Sequence, residues 1–197
     1  MRLPHDITGR RGCLLVVLWL SLSVTVSGAW AQGASATREA AVKAGVVLSF
    51  TLYVDYPPEV FTGDTAPIEL CVAEPPELYP ILKRLATGKV RRGRPVLVRR
   101  VDALESLAGC HMLYFGEKAA KEHRSWLETI YAQPILTFGV SEDFLVSGGV
   151  IQLMRSGNNI RFAINLAAAE AAGLEISSSV LKLAESVVDH RKSGASQ

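Results

Sequence analysis

Four short apolar runs, Pro67–Ala73, Pro95–Val98, His111–Phe115 and Pro134–Val140, alternate along the chain with segments of helical spacing. This alternation constrains the fold more than any other feature. Near-continuous apolar strands are those buried on both faces of a parallel sheet. Right-handed crossover helices then cover the two faces. The expected class is α/β: a three-layer α/β sandwich with a mostly parallel sheet of about four strands, flanked by helices. In the common 2-1-3-4 order the first and third strands are neighbours.

The helices are expected between and around these runs. Thr37 is placed to cap a helix from Arg38 to about Tyr53, ended by Asp55-Tyr56-Pro57-Pro58. Glu77 to Thr87 follows, with Gly88 as its C-terminal cap. A short helix is expected within Val101 to Leu107, and an amphipathic one from Glu117 to about Tyr131. Val150–Met154 and Ile160–Ile164 flank Ser156-Gly157-Asn158-Asn159, which predicts a C-terminal β-hairpin forming an antiparallel edge. Ala167 to Ala172 reads as a short helix stopped by Gly173. Ser177–Ser179 would cap a last helix reaching His190.

The first 31 residues read as a cleaved secretory leader. Arg2, Arg10 and Arg11 precede the uncharged run Cys13–Val26, and Ala29-Trp30-Ala31 supplies the small-x-small cleavage pattern. The run is short for a bilayer span of about 20 residues, although an uncleaved anchor is the alternative. The expected product is one domain, 32–197, exported and soluble, with its ordered core at about 37–190. The leader holds three arginines and one aspartate, so its removal leaves 18 basic and 18 acidic residues. A neutral domain suits neither a nucleic-acid groove nor a polybasic membrane anchor.

Export leaves two cysteines, Cys71 and Cys110. Two cysteines in an oxidising compartment favour a disulfide, and their spacing matches neither a C-x-x-C redox pair nor a zinc site. Neighbouring first and third strands would bring them within bridging reach.

No nucleophile elbow, Walker loop, dinucleotide fingerprint or zincin motif is present. Ser147-Gly148-Gly149 resembles a nucleophile turn or anion nest but reads better as a loop leading into a strand. Cys110-His111 could be a metal pair, though an apolar strand follows it. Glu142 and Asp143 read as loop-solvating carboxylates. No catalytic residue, cofactor or metal site is therefore expected. One cluster stands out: Lys89, Arg91, Arg92, Arg94, Arg99 and Arg100 fall within twelve residues. Arg91, Arg92 and Arg94 are candidate contacts for a partner or an anion, against the alternative of a solvated turn.

The ordered motifs resemble a known family. They are Val42-Lys43-Ala44, Phe50-x-x-Tyr53-x-x-Tyr56-Pro57, Leu70-Cys71-Val72, Gly93-Arg94-Pro95-Val96 and Cys110–Phe115. Ile135-Leu136-Thr137, Gly148-Gly149-Val150-Ile151, Asn159–Asn165 and Ala172–Ser178 continue the series. Together they resemble the YfiR family of periplasmic regulators, over about Ala40 to Ala184. The resemblance implies a non-enzymatic repressor that binds the periplasmic sensor domain of an inner-membrane diguanylate cyclase, lowering cyclic di-GMP and with it biofilm formation. It also implies an outer-membrane lipoprotein as a second partner, a possible homodimer, redox sensitivity and no nucleic-acid partner. Tyr56 stands where the family usually has Trp, and a second cysteine pair of some members is absent. A periplasmic binder of a small anionic ligand is the alternative function.

Overall fold

A computed structural model describes residues 28–73, 78–116, 120–157 and 159–189. Residues 39–197 form one compact unit. The leader before Gly28 lies outside the described residues.

The 2-1-3-4 order holds. Strands β2 (Ile68–Ala73), β4 (Arg94–Arg100), β5 (Met112–Phe115) and β6 (Leu136–Gly139) are parallel and lie in the order β4-β2-β5-β6. A fifth parallel strand, β7 (Ile151–Ser156), pairs with β6 and turns back into antiparallel β8 (Asn159–Asn165). The predicted hairpin therefore exists but is not the edge. β10 (Ser186–Val188) pairs parallel to β8 outside it, and β3 (Val90–Arg91) pairs antiparallel to β4 at the other end, giving eight strands. The last predicted helix is corrected accordingly. Ser177 caps only Ser178–Leu181, because Glu185 N–H bonds Phe162 C=O at 2.8 Å and draws the chain into β10. A two-stranded pair, β1 (Val54–Asp55) with β9 (Glu175–Ile176), ties the two halves together and had no local pattern to announce it.

The other boundaries shift modestly. α1 spans Gly28–Ser49 and passes through Thr37, which is therefore not its N-cap. A 3-10 turn, Phe50–Leu52, ends this helical stretch. α2 is Leu78–Ala86, followed by Gly88 with φ +70°, a left-handed conformation that glycine adopts at low cost. A 3-10 turn at Leu104–Leu107 fills the short helical slot. α3 is Ala120–Ile130 and α4 is Leu166–Ala171, capped by the Asn165 side chain.

Strand alternation divides the core into two layers. Leu70, Val72, Met112, Tyr114, Leu136 and Phe138 face Val47 and Phe50 of the first helical stretch, Leu82 of α2 and Ala169 of α4. Phe50 sits edge-on to Phe138 and Phe162, both at 5.3 Å, a favourable aromatic geometry. Cys71, Ala73, Leu113 and Phe115 face the opposite way, towards Leu127 and Ile130 of α3 and Phe144 of the loop before β7. The result is a three-layer α/β sandwich.

Candidate functional site

Tyr56, Arg94 and His111, three of the residues singled out in the sequence, gather at the N-terminal ends of β2, β4 and β5. Pro57 is extended, the 3-10 turn Pro58–Val60 reverses the chain, and Phe61 is delivered beside His111. The two rings stack at 4.5 Å with planes 11° apart, and Tyr56 meets both edge-on at about 6 Å. The Arg94 guanidinium lies 3.7 Å over the same Phe61 ring and donates to Gly63 C=O at 2.6 Å and Ala66 C=O at 3.0 Å. Arg94 thus pins the loop that enters β2.

His111 is structural. Its Nδ1 accepts the Glu69 backbone N–H at 3.1 Å, so that nitrogen carries no proton. Burial holds its pKa below the usual imidazole value; the Val60 backbone hydrogen bond opposes this and the nearby Arg94 charge adds to it. The metal-pair reading fails on both members, because Cys110 is bonded to Cys71 across a Cα–Cα distance of 5.9 Å. Tyr56 is half-buried and packs against the core, and its hydroxyl is enclosed without a hydrogen-bond partner among the described residues. Burial raises the pKa of that phenol well above the usual tyrosine range.

Arg99 braces the disulfide. It donates to Ser106 C=O, Ala108 C=O and the Cys110 sulfur at 2.7, 2.8 and 3.2 Å, with Glu69 3.5 Å away. Beside it, Val60, Leu107, Cys110, His111, Ile130 and Ile135 help line an open cleft of about 470 Å³. Among the described residues Glu105 is the one acidic or basic side chain, His111 aside, on its wall.

The arginine hairpin is a tight two-residue turn. Arg92 and Gly93 both have positive φ, 52° and 79°, as a type I′ hairpin demands. Arginine is an uncommon residue there, and its side chain is held by an ion pair with Asp55 and a 3.1 Å bond to Leu52 C=O. Arg91 donates to Val90 C=O, and its enclosed Nε has no acceptor among the described residues. Arg91 and Arg94 pair across the hairpin while Arg99 and Arg100 lie at the far end of β4, and Arg92, Arg94 and Arg99 hold the fold's own carbonyls and carboxylates.

The glycine-rich segment is a packing device. The Phe144 ring is wedged between Gly139 and Gly149, where an added Cβ would stand 2.2 Å from ring carbons. Asn165 donates to Leu145 C=O at 3.0 Å, and Thr137 Oγ1 accepts Val150 N–H at 2.9 Å. Asp143 pairs with Arg124 at 2.7 Å, which lowers its pKa, while Glu142 is exposed. Phe61 and Glu69 are the members of the site that sequence reading missed. Only strand order brings them to His111 and Arg94.

A model of the YfiR/HmsC-like family matches residues 40–185, nearly all of the compact unit. The chain belongs to the YfiR/HmsC-like family. Membership supports a periplasmic regulatory role at the level of the family. The YfiR-like motifs now have physical roles: Phe50 fills the helix-covered core, Gly149 admits Phe144, and Asn165 caps α4. A conserved domain protein from Vibrio cholerae O1 biovar El Tor is similar in structure at TM-score 0.49 and 16% identity, over 61% of this chain and 54% of that one. The ABC domain from Streptococcus pneumonia, solved with L-Trp, has TM-score 0.44 and 11% identity over 61% and 55%. The chain spans about half the length of either. Among the described residues no helix is long and apolar enough to cross a membrane.

Proposed function

We propose that the exported chain represses an inner-membrane diguanylate cyclase by binding its periplasmic sensor domain, without catalysis of its own. The observation that carries this reading is the family match over 40–185. The site chemistry is in keeping with it: the histidine, cysteines and glycine-rich turn that could have served catalysis are occupied with structural contacts. An outer-membrane lipoprotein that sequesters the regulator, and a homodimer, belong to the same proposal. Arg91, half-buried and without a carboxylate partner among the described residues, is the hairpin arginine that bonds only its neighbour's carbonyl and is the one assigned to a partner. A small-anion binder using the arginine cluster is less favoured, because Arg92 and Arg94 are engaged by Asp55 and by the carbonyls of Leu52, Gly63 and Ala66.

The test is genetic and biochemical. Deleting the gene should raise cyclic di-GMP, and returning the exported chain should lower it again. A pull-down from detergent-solubilised membranes should recover a cyclase with a periplasmic domain. Unchanged cyclic di-GMP in a strain that retains such cyclases would overturn the proposal.

A further inference from the structure

β4 is covered along only half of its outer side. β3 pairs with Arg94 and Pro95, and one further bond, Val96 N–H to Lys89 C=O at 3.0 Å, ends that ladder. The inner side is continuous. β4 pairs with β2 from Val96 to Arg100, and Val101 N–H donates to Val72 C=O at 3.1 Å. In a parallel ladder, alternate residues turn their peptide groups to the same neighbour. Leu97 and Arg99 therefore turn theirs, like Val101, towards β2, and Val98 and Arg100 turn theirs outward, like Val96. Beyond Val96 no backbone partner meets these outward groups among the described residues.

The flanks of this open edge have a chemistry. Leu97 is 49% exposed, a large apolar side chain beside unpaired peptides. Lys89 stands at one end and Arg100 at the other. Arg100 has only an exposed 3.4 Å contact with Asp102, the kind of surface pair that contributes little. Lys89, Arg91 and Arg94 have no carboxylate partner among the described residues. The opposite edge differs in sign and length: β10 has three residues and is bracketed by Glu185 and Asp189.

We infer that the outer edge of β4, from Leu97 to Arg100, receives an extended acidic segment of a partner protein, which adds to the sheet as a further strand. Its main chain pairs with Val98 and Arg100, an apolar side chain covers Leu97, and its carboxylates approach Lys89 and Arg100. Strand addition of this kind takes affinity from main-chain bonds and specificity from the flanking side chains. Charged residues also serve to keep edges from pairing, and that competing role is what the experiment must exclude. This edge contact is independent of which protein the regulator controls, and measuring it involves no cyclase.

The probe is a short peptide of alternating valine and glutamate, added to the isotope-labelled exported chain, with a valine–glutamine peptide for comparison. The amides of Val98 and Arg100 should shift and exchange more slowly with solvent. The glutamine peptide should bind about tenfold more weakly, a difference that shrinks as salt rises. Val98→Pro removes an outward N–H while leaving the bonds to β2 intact, and should weaken binding about tenfold. If Val98→Pro fails to fold, the pair Lys89→Glu and Arg100→Glu carries the test, with a similar loss expected. Unshifted Val98 and Arg100 amides at saturating peptide would overturn the inference. So would equal affinity for the two peptides, or wild-type binding by a folded Val98→Pro chain.

Discussion

On one face of the sheet, helices α1, α2 and α4 and the turn after α1 lay Val47, Phe50, Leu82 and Ala169 across the strands. On the other face α3 shares the work with two loops. Those loops are fastened by other means: the Cys71–Cys110 bridge braced by Arg99, and Phe144 clamped between two glycines. A face covered by helices is stabilised by buried apolar area, distributed over many side chains. A face covered by loops has less area to bury, so a few cross-links and one close-packed ring carry a larger share. The first should tolerate oxidants and reductants alike, whereas the second should fail at discrete points.

The largest effect expected is on the loop-covered face. Cys71→Ser or Cys110→Ser should lower stability by about 4 kcal/mol, the closure entropy of a loop of this length. That is a fall in Tm of roughly 10 °C for a domain this size. Reductant should lower the wild-type Tm and leave the double serine variant unmoved, which thermal denaturation with and without dithiothreitol checks. Phe50→Ala, on the helix-covered face, should cost a similar ~3–5 kcal/mol, but equally in oxidised and reduced protein. If reductant also changes the cost of Phe50→Ala, the two faces are coupled and the comparison breaks.

Gly149→Ala sharpens it further. The new methyl must displace the Phe144 ring, at a cost of about 1–3 kcal/mol. Combining it with Phe144→Leu should recover part of that loss, measured as a double-mutant cycle by urea denaturation. Arg94→Met removes two carbonyl bonds and the contact over Phe61. About 1–2 kcal/mol should be lost, so charge reversal at this residue reports on the fold as well as on any partner.

The smallest effect is in pH. The folded-state pKa of His111 is lowered from 6.5, chiefly by burial. Above pH 6.5 the imidazole is neutral in both states and contributes no pH dependence. As the pH falls below that value the unfolded chain takes up a proton first, and stability declines until the folded-state pKa is passed. His111→Gln should flatten the denaturation midpoint over this range. The carboxylates with lowered pKa values, Glu39 and Asp143, begin to lose their contribution only as the pH falls below their unfolded values of 4.5 and 3.8.

Much of this architecture could be read from local pattern. The central parallel strands are apolar runs buried on both faces, so Ile68–Ala73 and Met112–Phe115 declare themselves without reference to their neighbours. The turns at Gly88 and Gly173 follow from glycine's access to positive φ. The cysteine pairing followed once strand order and compartment were joined. The short elements were different. β3, β9 and β10 have two or three residues each, too few for any periodicity; β3 and β10 are strands because an edge of the main sheet offers them hydrogen bonds, and β9 because β1 does. Ser186–Val188 continues a helical-looking pattern, and Phe162 C=O overrides it.

The same division runs through the site. By itself the sequence determined the central sheet, the two cysteines and a dense arginine cluster, because composition and spacing are local properties. Which arginines serve the fold was decided only when the strands assembled. Arg94 meets Phe61 across a strand crossing, Arg92 meets Asp55 through a hairpin, and Arg99 reaches the disulfide. A guanidinium extends far enough to bond any carbonyl or ring that folding brings near it, so its role depends on neighbours distant in sequence. The open half of β4 was decided in the same way: β3 stops after two paired residues, and no property of Leu97–Arg100 alone could reveal that the outward peptides of Val98 and Arg100 meet no backbone partner among the described residues.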